Sequence, residues 1–446
     1  MSPEQLLTDP GTIVVFTYAP VGLGHLRVTN ALYEGLPKGV KTVLIGSSEK
    51  LTEAIYKFVS THVITRRIME WFQSGWPQGV YTHLYRWQLR TTSSDMKAKI
   101  EEIFKQQIEI PKRMIIIATH FGFAHQIAAV KETLERKMGV KIYLMVQVTD
   151  DSPQYIWYVP GADVIYVPSK KTMLELRKYA MRACLQHVKF EVLPYPVSPI
   201  LGEKLPTHHY ESRKEQLSKA ATVPINFCLP VSGAAVGMEF FHHLIPQLQS
   251  RYSRFNFHII CKEAPFTKKF LQDVRKFPNI HIHTSKHSRE IVDMYDDVYK
   301  KNVIALEITK PSEQAFKALC DFDMVGGSLL LFAHPVGRQE RDNLDFLRRH
   351  GLIFDVKMTE KMWGMAARGV TPDGAFKERL LPHSHMYRCV ELPFGSENAA
   401  KFIWWCLKNG IFERMVNGYS AVKAGKDIET RSDGVDLFWS SVSSRV

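Results

Sequence analysis

The residues most able to do chemistry sit just behind apolar runs. His25 closes VGLGH (21–25), directly after TIVVFTYA (12–19). An imidazole there can act as general base or hydrogen-bond donor. It can equally be a helix-start histidine bonded to its local turn. Gly22 and Gly24 beside it can take positive φ and let a ligand approach the backbone. His120 ends MIIIATH (114–120), and His125, one turn later, reads as structural. Asp150 and Asp151 follow KIYLMVQVT (141–149), where a carboxylate can orient His25 or a substrate hydroxyl. Asp before Ser-Pro is also ordinary turn chemistry.

A second set lies in the other half of the chain. Ser232, Gly233 and Ala234 form a small-residue loop behind INFCLP (225–230). Amides and a hydroxyl in such a loop can hold a phosphate, although the GK[ST] ending of a P-loop is missing. Lys310, Ser312 and Glu313 follow VIALEIT (303–309), a cation and a hydroxyl suited to a phosphate or a sugar. The alternative is a plain helix start with Pro311 at its first position. Gln339 and Glu340 follow SLLLFAH (328–334). They can read sugar hydroxyls, or Glu340 can favour the helix dipole.

These residues must be positioned by the elements between them. Apolar runs alternate with amphipathic stretches such as GFAHQIAAVKETLERKMG (122–139) and SKKTMLELRKYAMRA (169–183). Alternating strand and helix implies a parallel sheet covered on both faces. The pattern predicts an α/β chain of two doubly wound domains facing a central cleft. The first covers 1–200, and a polar stretch at 201–224 reads as linker with room for one short helix. The second covers 225–395, and 396–446 holds a helix, KFIWWCLKNGIF (401–412), that returns to the first domain. Ligands of such sheets bind beyond the carboxyl ends of the strands, where all these residues fall.

The 446 residues suit two domains. With 45% hydrophobic and 23% charged residues the composition is globular. No apolar run reaches the length of a membrane span, and the first residues do not read as a signal peptide. Six cysteines without CxxC pairs point to a reducing, cytoplasmic setting and to neither a zinc ribbon nor a disulfide framework. The net charge of +13 admits nucleic acid, an anionic membrane or an anionic small substrate. Without zinc-finger spacing, an aromatic RNA-binding strand or a long basic block, nucleic acid ranks last.

The pattern resembles the GT-B glycosyltransferases of family 28, which include the lipid II-forming N-acetylglucosaminyl transferase and the monogalactosyldiacylglycerol synthases. Their first loop reads roughly GGGH, here VGLGH, with Leu23 where glycine is usual. A VTD with a following tryptophan matches Val148-Thr149-Asp150 and Trp157, and a serine after the next strand matches Ser169. The family's TKPGGxTxxEA and PGQExxN stand here as TKPSEQAFKAL and VGRQERDN. An acidic residue that contacts the nucleotide ribose is replaced by Ala318, and Pro-Gly-Gly by Pro311-Ser312-Glu313. The similarity runs from about Val14 to Asn343.

The resemblance implies two Rossmann-like domains, the first on the acceptor side and the second on the donor side. The activity implied is metal-independent, inverting transfer of a sugar, UDP-linked by preference, to a lipid or other hydroxyl acceptor. The nucleotide-sugar is then a substrate and no cofactor or metal is implied. His25 and Asp150 become the candidate bases. Ser232, Gly233, Ala234, Lys310, Ser312, Glu313, Gln339 and Glu340 become donor contacts, and Gly22, Gly24, His120, Trp71 and Arg86 acceptor-side residues. Residues 54–90, rich in Arg and aromatics, would meet an anionic membrane surface at its inner face; the alternative is internal packing. A GT-B-fold binding or regulatory protein and a nonhydrolysing sugar-nucleotide epimerase remain the other readings.

Overall fold

The computed structural model describes residues 3–18, 23–46, 76–107, 111–231, 237–376, 386–417 and 427–446. Their backbone forms two units, one of residues 1–198 with 427–446, the other of residues 199–426. Each unit holds one six-stranded sheet whose strand pairs are all parallel. Both are Rossmann-like doubly wound α/β domains.

In the first unit β1 (Thr12–Tyr18), β2 (Thr42–Gly46), β3 (Arg113–Ala118), β4 (Lys141–Gln147), β5 (Val164–Val167) and β6 (Lys189–Val192) run in the order β2-β1-β3-β4-β5-β6. Central strands buried on both faces need continuous apolar sequence. Accordingly Met114, Ile115, Ile116 and Ile117 of β3 have no exposed surface. Helix Phe121–Met138 lies on the sheet, with Ala124, Ile127 and Leu134 in its core. It ends at Gly139, whose φ of 66° closes it in the left-handed conformation.

The second unit holds β7 (Ile225–Pro230), β8 (Phe255–Lys262), β9 (Ile280–Ser285), β10 (Leu306–Thr309), β11 (Leu329–Phe332) and β12 (Cys389–Glu391), in the order β12-β11-β10-β7-β8-β9. The three-residue β12 has no counterpart in the expected elements. Cysteines 228, 261, 320, 389 and 406 are buried free thiols, and Cys184 is exposed.

Two expected boundaries are corrected. Much of 201–224 is not linker: helix Thr207–Leu217 belongs to the second unit. Its Arg213 is fully buried and donates to the carbonyls of Ile304, Phe322, Met324 and Val325. Helix Ser396–Lys408 also stays in the second unit, with Phe402, Ile403 and Trp405 in its core. The segment that returns to the first unit is 427–446. Its helix Gly434–Ser443 inserts Trp439, whose Nε1 donates to Leu32 O at 2.9 Å, and Glu429 accepts from Lys170 N at 2.9 Å.

Arg213→Ala would leave four carbonyls without their donor. We expect a loss of about 2–4 kcal/mol in urea unfolding; a midpoint matching the unsubstituted chain would mean that the carbonyls find other partners.

Candidate functional site

Crossovers that reverse direction part the loops of two neighbouring parallel strands, and ligands bind there. Sheet order places that point between β1 and β3 in the first unit and between β7 and β10 in the second.

His25 and His120 flank the first of these points. His25 is the second residue of helix Gly24–Glu34. The helix opens at Leu23 without a side-chain cap. Gly24 is therefore helical, against the expectation of positive φ; Gly22 lies outside the described residues. His25 Nδ1 is 3.2 Å from Thr149 Oγ1. Its carbonyl accepts from Thr29 Oγ1 at 2.8 Å and Thr119 Oγ1 at 3.3 Å, and these two hydroxyls meet at 2.7 Å. Tyr195 OH donates to Thr149 O at 3.2 Å, so the threonine that meets the imidazole is itself held.

His120 caps helix Phe121–Met138, its Nδ1 accepting from Gly122 N at 3.2 Å. A side chain at Gly122 would meet the imidazole at 2.9 Å, so glycine is needed there. An accepting Nδ1 places the proton of the neutral ring on Nε2. Burial first, then His25, pushes His120 well below the ordinary histidine value. It is a neutral donor whose ring stands edge-on to His25 at 5.1 Å and stacks on Phe121 at 4.5 Å. Trp157 completes the wall, 6.1 Å from the His25 ring.

Of the two aspartates, Asp151 is buried and structural: it accepts from Ser169 Oγ and, at 2.7 Å, from Thr172 Oγ1. Ser169 in turn caps helix Lys170–Arg182 through Thr172 N. Asp150 is half-buried on the same loop, next to the Thr149 that meets His25.

Arg86 is not at a surface. It is 5% exposed on helix Trp76–Thr91 and donates to Tyr158 O at 3.1 Å and Tyr155 O at 3.4 Å. Arg90 donates to Pro160 O at 3.2 Å. Arg86 is thus internal packing, whereas Leu84 at 60% and Trp87 at 66% are exposed on the same helix. Trp71 lies outside the described residues. His125 is structural as expected, its Nε2 at 2.9 Å from Ile156 O. Among the described residues no helix is long and apolar enough to cross a membrane.

At the second point Lys310, Ser312 and Glu313 follow β10, all half-buried. Ser232, Gly233 and Ala234, beyond neighbouring β7, lie outside the described residues. The expected helix behind Pro311 is instead a short 3-10 segment, Glu313–Leu319, with Ser312 as its cap residue. Asn343, fully buried, holds the loop through Pro311 O at 3.2 Å. Glu340 turns back to accept from Val336 N at 2.5 Å, so its carboxylate braces its own helix entry. Gln339 is exposed.

Sequence reasoning missed what anchors this loop. Glu307 of β10 and Lys317 pair at 2.6 Å with both side chains buried. Tyr295 and Tyr299 donate to the same carboxylate oxygen at 2.7 and 2.5 Å, and Ser328 accepts from Lys317 at 2.8 Å. Burial lowers the Lys317 pKa even beside Glu307, and burial with Glu307 raises Tyr299 well above its ordinary value. Lys317 points inward and Ala318 is 3% exposed. The signal was two charges inside apolar runs, ALEIT and AFKAL.

No protein-family model and no curated protein sequence matches the chain. Solved structures similar to it include UDP-GlcNAc 2-epimerase from Neisseria meningitidis bound to UDP-GlcNAc, at 11% identity over 97% of this chain and 100% of that one, TM-score 0.47. MurG of Acinetobacter baumannii is 10% identical over 98% and 100%, TM-score 0.47. UGT2 of Phytolacca americana, complexed with UDP-2fluoro-glucose and pterostilbene, is 10% identical over 97% and 100%, TM-score 0.43.

Two outcomes follow from the buried groups. Arg86→Ala should lower stability by about 1–3 kcal/mol and leave flotation with anionic vesicles unchanged; lost flotation at unchanged stability would put Arg86 at a surface. Burial, with Arg86, pushes His125 from 6.5 down to about 3. Between these values the unfolded chain binds the extra proton. Its stabilisation is therefore full above pH 6.5 and declines as pH falls toward 3, by at most about 1.4 kcal/mol per pH unit. His125→Gln should flatten part of that decline in acid titrations followed by circular dichroism; an unchanged slope would mean that the ring is already protonated in the fold.

Proposed function

We propose that the chain is a GT-B-type glycosyltransferase that takes a nucleotide-sugar, UDP-linked by preference, and transfers the sugar to a hydroxyl acceptor. The observation that carries this reading is positional. The histidine matched by the family's first loop and the lysine matched by its donor motif each follow a strand beside the switch point of its own sheet.

His25 is the proposed base. For Nε2 to take the acceptor proton, Nδ1–H must donate to Thr149 Oγ1, a contact of 3.2 Å. His120, kept neutral by burial, supplies an N–H donor beside it. Lys310 and the Ser312 hydroxyl are proposed to meet the diphosphate, whose charge grows as the sugar leaves. Glu313, beside them, is the carboxylate proposed to read a sugar or ribose hydroxyl in place of the one absent at Ala318. No step in this scheme calls for a metal or cofactor.

A second reading, a binding or regulatory protein with reduced turnover, is favoured by Ala318 and by Glu340. The first is a buried methyl where the family carries an acid, and the second already braces its own helix.

The test is a thermal-shift series with UDP, GDP, ADP and CDP and their sugars, followed by turnover of the sugar that shifts most. His25→Ala should lower turnover at least about 100-fold with donor affinity little changed. Lys310→Ala should weaken donor binding by about 1–3 kcal/mol in calorimetry. A shift without turnover favours the regulatory reading, and no shift with any nucleotide overturns both.

A further inference from the structure

Three histidines gather on β8 and β9, away from the loops described above. His258 pairs directly with His281 in the strand register, and His283, two residues on, shares their face. The His258 ring stacks on His281 at 4.8 Å and on His283 at 5.6 Å, nearly parallel to both. His258 Nδ1 and His283 Nε2 are 3.4 Å apart. Two imidazole nitrogens at ~2.0–2.1 Å from one tetrahedral zinc ion lie about 3.3–3.4 Å apart. His258 is buried, His283 half-buried and His281 exposed, so the cluster opens to solvent at the edge strand of the sheet.

We propose that this edge binds a divalent first-row transition ion of the zinc class, held by His258 Nδ1 and His283 Nε2, with His281 turning to supply a third nitrogen and water a fourth position. As the rings stand, no three His, Cys, Asp or Glu side chains among the described residues form a metal-holding group. Closure requires rotation of the exposed His281 ring out of its stack. Imidazole ligates in its neutral form. Lys301, on helix Ser288–Lys301, is paired with Asp297 at 2.6 Å. A bound ion would add a side-chain link between the outer strand β9 and β8, which already pair along their length.

The probe is Zn²⁺ alone, titrated into the full chain at neutral pH by calorimetry, with melting followed in parallel. We expect a single equivalent to bind and to raise the Tm by linkage. His281→Ala and His283→Ala should each weaken binding at least about tenfold, no less than the loss of an outer-shell partner costs. Both variants should melt like the unsubstituted chain when zinc is absent. With Cu²⁺ as the ion, nitrogen hyperfine splitting should fall in both. The adjacent pairs His208 with His209 and His242 with His243 provide the control, and replacing either pair by alanine should change nothing. Absent saturable heat, affinity retained in both edge variants, or loss in a control pair overturns the site.

Discussion

When crossovers leave two neighbouring parallel strands in opposite directions, their carboxyl-end loops part and a crevice opens that no helix covers. Each sheet of this chain has one such place. Its chemistry-bearing residues follow from which loops happen to border it. His25 and His120 come from loops about ninety-five residues apart, yet strands β1 and β3 are neighbours, so both rings arrive together. Hydroxyls of Thr29, Thr119 and Thr149 then hold the His25 backbone and ring. The Thr29 contact spans one helix turn, whereas those of Thr119 and Thr149 cross more than ninety residues of sequence.

That distinction decides what the sequence made legible. Buried parallel strands are written as unbroken apolar runs, so TIVVFTYA, MIIIATH and KIYLMVQVT each locate a strand to within a residue or two. The three residues of β12 are too few to carry such a pattern. Residues 201–224 looked like linker because Pro206 and the charges are local features. Arg213 becomes a core residue only through carbonyls some ninety to a hundred and ten positions away. The returning helix was sought at Trp404 and Trp405, whereas Trp439 provides it. Two aromatic amphipathic helices cannot be ranked by composition alone when both have a core to enter. The places of His25 and Lys310 behind β1 and β10 were legible because both follow apolar runs. Thr149 as the partner of His25 was not, since an adjacent aspartate is the stronger hydrogen-bond acceptor on paper.

The buried Glu307–Lys317 pair shows how a motif can keep its place while its side chains change sides. A short 3-10 segment behind β10 presents Lys317 to the interior, where Glu307, Tyr299 and Ser328 accept from it and Tyr295 donates to Glu307. An isolated buried ammonium would be costly, and the pair is tolerated because nearly every polar atom has a partner. Such a network resists rearrangement: moving the segment would strand a charge. The loop from Lys310 to Glu313 is thus fixed at one end by β10 and at the other by an ion pair, with Asn343 holding Pro311 between them.

Fixing the loop in this way has a cost for recognition. Ala318 is directed into the core, so a carboxylate at that position could not reach a ligand without unwinding the segment that Lys317 anchors. Before that anchor, Glu313 is the acidic residue of the loop. Glu340 cannot substitute without giving up the amide of Val336 and loosening the entry to helix Arg338–Arg349. The constraint that makes this loop rigid therefore leaves Glu313 as the acidic residue between β10 and the buried Lys317.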